Sequence, residues 1–284
     1  MITTIGDGKL FAEINTKGAE LWRIYDAKGK DYLWNGDSAY WGRRAPTLFP
    51  ICGGMIDDGY IYGGKEYSMP KHGFCRDAEF ALETAEENRA VYLITHSEER
   101  YALYPFRFEF RIEYLIKDGT LFVYYRVSNK DEKTMYFSVG SHEAYACPEG
   151  IEGYRIEFEV PENLESLVIA DNLVQVDRTV IGEGIQVLDM DYRFFQVDAL
   201  CFKGLKSRKV ALVGHGRRIE VEYDGFEYLL LWTKQQAPFL CIELNCGIDD
   251  YVGSDRLLEH KEGNAVLEAG GEFVLCHSMR FSAE

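Results

Sequence analysis

Residues Phe106-Arg107-Phe108-Glu109-Phe110-Arg111-Ile112-Glu113-Tyr114 alternate apolar and charged side chains without a break. A period of two places one set on each face of a strand, so this segment demands a sheet with one buried face. Asp118-Gly119 follows, and then Leu121-Phe122-Val123-Tyr124-Tyr125-Arg126-Val127. Asp-Gly supplies the positive φ of a tight turn, so the two runs predict a hairpin. The same device recurs at Ile61–Tyr67 around Gly63-Gly64, and at Ile219–Trp232 around Asp224-Gly225. Further short strands are predicted at Leu10–Ile14, Leu21–Tyr25, Val91–Thr95, Tyr154–Val160, Lys209–Val213 and Phe273–Met279. No long stretch holds a 3.6-residue period. The expectation is an all-β fold, a large antiparallel sandwich or barrel.

The chain has 284 residues, of which 46% are hydrophobic, and no Pro-rich, Ser-rich or low-complexity linker. A single domain over residues 1–284 is expected. The net charge of −16 repels nucleic acid and anionic membranes, so neither is expected as a partner. The N-terminus lacks a basic region followed by an apolar core, and no membrane-length apolar run occurs. The seven cysteines are dispersed and read as free thiols in a reducing compartment. These features predict a soluble cytoplasmic protein, monomer or homodimer. There is no GxGxxG or GxxxxGKS/T loop, and no cofactor is expected.

Three stretches set proton-handling side chains in apolar surroundings. They are Met69–Phe74 with His72, Phe137–Tyr145 with His142, and Phe239–Leu244 with Glu243. Two imidazoles and a carboxylate form an acid–base set if the fold unites them. The same three could hold a divalent metal, but they lack HExxH spacing, so no metal is expected. Glu243 with Asp198 could instead form a hydrolytic carboxylate pair, which would leave the histidines without a task. Arg43 and Arg44 lie among Tyr40, Trp41 and Pro46, a setting for recognising hydroxyls or an anion, or for a surface ion pair. His96, His215, His260 and His277 read as structural, and Asp249-Asp250 as a solvated turn.

Tyr32-Leu33-Trp34-Asn35-Gly36-Asp37 with Tyr40-Trp41-Gly42-Arg43-Arg44-Ala45-Pro46-Thr47-Leu48-Phe49-Pro50-Ile51 resembles the aldose 1-epimerase, or galactose-mutarotase-like, superfamily. The branch is the one associated with lactose-utilisation gene clusters. Lys71-His72-Gly73-Phe74-Cys75-Arg76-Asp77, Gly140-Ser141-His142-Glu143-Ala144-Tyr145, Asp198-Ala199-Leu200-Cys201-Phe202, and Glu243 with Cys246-Gly247 continue the match in order. The resemblance implies a large twisted β-sandwich with an open sugar cleft, no cofactor, and interconversion of α and β anomers. It implies Glu243 as catalytic base, His142 as catalytic acid and His72 as a second histidine near the reacting oxygens. It implies Asp198, Arg43 or Arg44, and Arg76 as substrate-binding groups. The branch commonly has Arg where Met55 follows Gly54, and Gly-Gly-His-Pro where Gly140-Ser141-His142-Glu143 stands. A missing cation and an added carboxylate would both disfavour an anionic sugar. A neutral hexose is therefore the expected substrate of an aldose 1-epimerase. The alternatives are a non-catalytic carbohydrate-binding protein and a hexose-6-phosphate 1-epimerase.

Overall fold

The structure, a computed structural model, describes residues 1–283. Its largest unit is a 13-stranded antiparallel sheet. In spatial order its strands are Glu143–Ala146, Phe239–Asn245, Tyr228–Trp232, Leu200–Lys203, Arg155–Ala170, Lys209–Gly214, Arg217–Asp224, Glu272–Ser282, Thr120–Asn129, Phe108–Lys117, Arg89–Thr95 and Ala81–Ala85. Leu173–Asp189 branches off and pairs with Arg155–Ala170. A three-stranded sheet, Ile2–Gly6, Leu10–Asn15 and Glu20–Asp26, covers part of the inner face. The Tyr114 hydroxyl donates to Ala19 O at 2.7 Å across that contact.

The alternating segment behaves as its period requires. Phe106, Phe108, Phe110, Ile112 and Tyr114 are buried in the main core, while Arg111 pairs outside with Glu83 and Glu109. Phe49 stacks on Phe110 at 4.3 Å between ring centroids, so the segment before the first site loop is anchored in the core by aromatic contact. The hairpins at Asp118-Gly119 and Gly63-Gly64 form, pairing Lys117 with Thr120 and Tyr62 with Lys65.

Asp224-Gly225 does not close a hairpin. Arg217–Asp224 pairs with Lys209–Gly214 and Glu272–Ser282, whereas Tyr228–Trp232 pairs with Leu200–Lys203 and Phe239–Asn245. The turn is real, with Gly225 at φ 84°, but three strands lie between its flanking strands in the sheet. Turn chemistry fixes a change of direction; partner choice is set by which buried faces match. The strand predicted at Tyr154–Val160 is much longer, running to Ala170 and folding back as Leu173–Asp189. That ribbon carries register shifts near Glu162, which interrupt the alternation a sequence reading relies on.

Asp249-Asp250 is not a solvated turn. Both residues are buried. Lys261 Nζ donates to Asp250 Oδ1 at 2.8 Å and to Ile248 O at 2.7 Å, and Asp250 Oδ2 accepts from Ile56 N at 3.1 Å. Asp249 Oδ1 accepts from Gly54 N at 2.7 Å. The pair ties the strand-end loop to the segment before the first site histidine. Removing one partner strands a buried charge. Lys261→Ala is expected to cost about 3–5 kcal/mol in urea unfolding; an unchanged midpoint would show that the pair does not hold these loops.

Candidate active site

The cleft forms where two strand segments lie side by side. Glu143 pairs with Ile242, Ala144 with Cys241, and Tyr145 with Leu240. Directly opposed residues share a face. Leu240, Ile242, Glu143 and Tyr145 therefore face the core, and Cys241 and Ala144 face the other way with Trp34, Phe239 and Trp232. Extending that alternation one residue puts Glu243 and His142 together on the cleft face. His142 Nε2 lies 3.2 Å from Glu243 Oε1, with both residues buried.

His72 reaches the same cleft from its own loop. Its backbone N–H donates to Gly53 O at 2.8 Å, and Gly53 N–H donates to His72 Nδ1 at 3.1 Å. Nδ1 is thus an acceptor, which leaves the proton of the neutral ring on Nε2. The clamp holds His72 at φ 67°, a left-handed conformation that bulky residues rarely adopt. Gly53 permits it, because a Cβ there would meet Asp249 N at 2.2 Å. The His72 ring lies edge-on to His142, centroids 5.8 Å apart.

Two tryptophans close over His142. Trp41 stacks on the imidazole at 5.0 Å and Trp232 meets it edge-on at 5.7 Å. The resulting cleft of about 200 Å³ is also lined by Lys71, Arg76, Asp198, Ile169, Leu230 and Asp249. Lys71 Nζ donates to Asn172 Oδ1 at 2.8 Å and lies 3.8 Å from Asp249 Oδ1. Asn172 sits in the turn of the long ribbon, so the tip of that ribbon helps fix the cleft lysine.

Burial sets the protonation of the central pair. It pushes the Glu243 carboxyl up to about 8, reinforced by the charges of Asp198 and Asp249 and opposed by Lys71. It pushes the His142 imidazole down to about 3, with Lys71, Arg76 and Arg43 adding to the effect. His72 is held well below its ordinary range by burial and by His142. At neutral pH the pair therefore carries one proton, and desolvation favours the uncharged arrangement with that proton on the carboxyl.

The profile of the family described as Aldose 1-epimerase matches residues 1–268. The chain belongs to the aldose 1-epimerase family. Within it the chain falls in the LacX-like branch. It is 35% identical over 268 residues to the plasmid-encoded protein LacX of Lactococcus lactis subsp. lactis, covering 89% of this chain and 90% of that one. The chromosomal LacX of the same organism is 34% identical over the same shares. The fold superposes on a galactose mutarotase related enzyme from Lactobacillus acidophilus with a TM-score of 0.95, 28% identity and full coverage of both chains. A galactose mutarotase-like protein from Lactobacillus casei gives 0.92 at 28% identity, again over both full chains. The all-β expectation thus resolves to the galactose-mutarotase-like supersandwich, and the chain is an isomerase-family protein.

Measured against that family pattern, the structure brings together Glu243, His142, His72, Asp198 and Arg76. Arg44 is a correction. It turns away from the cleft, donates to Trp22 O, and lies with its guanidinium carbon 3.9 Å over the Trp22 ring. Arg43 is turned toward Asp77, whose two carboxylate oxygens accept from its Nη2 at 3.1 Å. It borders the cleft through Asp77 and Arg76 and does not line it. Glu143 is a second correction: it faces the core, 3.3 Å from His277 Nε2, and adds no charge to the cleft. The structure adds Lys71, Trp232 and Asp249 to the cleft, and Trp41, the aromatic neighbour of the arginine pair, lines it where that pair does not; in the sequence the only pointer to Lys71 is that it adjoins His72.

The raised carboxyl has a consequence for stability. Glu243 ionises near 4.5 when unfolded and at about 8 when folded. The unfolded chain loses this proton first, so the contribution is complete below pH 4.5 and is lost as pH rises through about 8. Glu243→Gln removes that titration. Its Tm should rise relative to the parent from pH 5 to 9; a Tm difference independent of pH would exclude a buried, high-pKa carboxyl here.

Proposed function

We propose that the protein interconverts the α and β anomers of a neutral hexose by general acid–base catalysis. The observation that carries this reading is the buried His142–Glu243 contact at 3.2 Å, holding one proton beside a second, neutral imidazole. Ring opening needs one proton removed from the anomeric hydroxyl and one delivered to the ring oxygen. Glu243 as carboxylate takes the first, and His142 as imidazolium gives the second. The C1–ring oxygen bond breaks, the C1–C2 bond rotates, and closure on the other face returns both protons.

The reactive form, carboxylate plus imidazolium, has the same net charge as the resting form, with the proton moved across one short contact. Sugar hydroxyls entering the cleft replace lost water and favour the charged arrangement. His72, with its proton fixed on Nε2, donates to an oxygen near the reacting centre. Asp198 accepts from sugar hydroxyls, and Trp41 and Trp232 offer apolar surface to the ring.

The charges lining the cleft offset one another, which supports a neutral sugar: Lys71 and Arg76 share it with Asp198 and Asp249, and Lys71 lies 3.8 Å from Asp249. Arg76 Nε makes no hydrogen bond, so this guanidinium is the donor a phosphosugar would have to use. Glu143 drops out of this reasoning because it faces the core; the absence of an arginine at Met55 stays in it.

Polarimetry of freshly dissolved α-glucose or α-galactose is the direct test: protein should speed the loss of excess rotation over buffer. Glu243→Gln and His142→Asn should each lower turnover by about 10²–10⁴-fold, the usual weight of acid–base catalysis. Asp198→Asn should act mainly on KM. A folded Glu243→Gln protein at the parent rate would refute the assignment, and one that no longer binds sugar would favour a binding protein.

The pH profile gives an independent check. Activity needs the singly protonated pair, so kcat/KM should hold through neutral pH and fall as that proton is lost at about pH 8. A basic limb starting below pH 6 would mean that a freely titrating imidazole, and not the buried pair, controls the rate.

A further inference from the structure

A second cavity, of about 520 Å³, shares no lining residue with the cleft. Its walls carry Lys30, Arg44 and Arg217 together with Leu33, Trp34 and Pro238. Lys30 Nζ donates to Gly216 O at 3.1 Å, and Arg217 Nη1 donates to Asp31 O at 2.7 Å. Arg44 donates to Trp22 O and stacks on that ring. These three cations thus meet backbone carbonyls and aromatic faces. Arg23 and Asp31 also line the cavity and pair with each other at 2.6 Å, and Arg44 feels the charges of Glu20, Glu13 and Asp31. A guanidinium has five N–H donors and an ammonium three, so most of their donor capacity is uncommitted by these contacts.

Burial and the charge of Arg217 lower the Lys30 ammonium, while the charges of Asp26 and Glu149 act the other way. In a chain of net charge −16, a hollow lined by four cations and one carboxylate is opposite to the general surface. Two guanidinium forks and an ammonium match a phosphate dianion, and the apolar wall matches a small body attached to it.

The cavity also touches the cleft mechanically. Asn35 and Arg44, the ends of loop 35–44, both line it, while Trp41 within that loop stacks on His142. Trp34 Nε1 donates to Trp41 O at 2.9 Å, and Trp34 N donates to Ala144 O at 2.8 Å beside His142.

We propose that this cavity is an effector site for a phosphorylated metabolite of sugar or nucleoside size, its phosphate held by Lys30, Arg44 and Arg217 and its body against Trp34, Leu33 and Pro238, with occupancy transmitted to His142 through loop 35–44. The binding half stands alone; the regulatory half rests on the anomer-interconverting activity proposed above.

Calorimetry with AMP and with sorbitol 6-phosphate tests binding, since neither has a free anomeric hydroxyl to turn over; sorbitol is the neutral control. Both phosphates should bind saturably and sorbitol should not bind at this site. Affinity should fall about tenfold or more in Lys30→Gln/Arg217→Gln, as paired charges are removed, and stay unchanged in Asp198→Asn, which alters the cleft. Should the double variant not fold, Lys30→Gln alone carries the same comparison with a smaller loss. Absence of saturable binding, equal binding by the charge-removed variant, or its loss in Asp198→Asn would overturn the site. In polarimetry, saturating sorbitol 6-phosphate should change parent kcat/KM at least about twofold, through a coupling of ordinary size, and leave the double variant unaffected. Binding without that change would overturn the regulatory half. A parent with no anomer interconversion at all would count against the proposed function and the regulatory half together, with calorimetry still deciding the binding half.

Discussion

Everything distinctive about the cleft depends on burying an ionisable pair on two hydrogen-bonded strands. A carboxyl and an imidazole in contact inside apolar walls cannot both take the protonation states they prefer in water. The walls are specific: Cys241, Phe239 and Ala144 lie beneath the pair on its own face, and Trp41 and Trp232 cover the imidazole. Desolvation favours one proton on the pair, carried by the Glu243 carboxyl 3.2 Å from His142 Nε2. A pair poised that way can exchange its charged and uncharged forms by moving a proton a short distance, without net charge entering or leaving the site.

The surrounding loops keep that pair from being neutralised by a permanent partner. Lys71, a cation lining the cleft, is drawn toward Asp249 and Asn172. Asp249 is itself fixed by Gly54 N, and its neighbour Asp250 by Lys261. The segment 46–52 runs between these parts: Leu48 and Gly140 exchange backbone hydrogen bonds at 3.1 Å, and Gly53 clamps His72. Gly140 is needed because a Cβ there would stand 2.0 Å from Asn245 Oδ1. Elements far apart in sequence are thus tied by backbone contacts, which suits a site that must hold its geometry.

Where the sequence could be read, the reason is local periodicity. Phe106–Tyr114 alternates because one face is core and the other solvent, and the structure keeps that division. Strands buried on both faces give no such signal. Phe239–Asn245 is buried throughout, so its composition marks it as interior but does not say which face Glu243 takes. The ribbon from Arg155 to Asp189 was only partly legible because bulges shift its register. Asp224-Gly225 announced a turn correctly and a pairing wrongly, since pairing is decided by surfaces assembled from other parts of the chain.

Residue order alone is enough for the all-β class, for the hairpins at Gly63-Gly64 and Asp118-Gly119, and, through the family-like blocks, for which polar residues to watch. These follow from short-range physics: a period of two, positive φ at glycine, and the cost of burying a lone charge. Three-dimensional packing is what makes Glu243 and His142 touch while Glu143 faces away, takes Arg44 from the cleft to Trp22, and buries Asp249 and Asp250 as anchors. Each of those outcomes turns on which face of a strand meets which neighbour. A one-residue change of register would reverse them, and register is set by the packing of the whole sandwich.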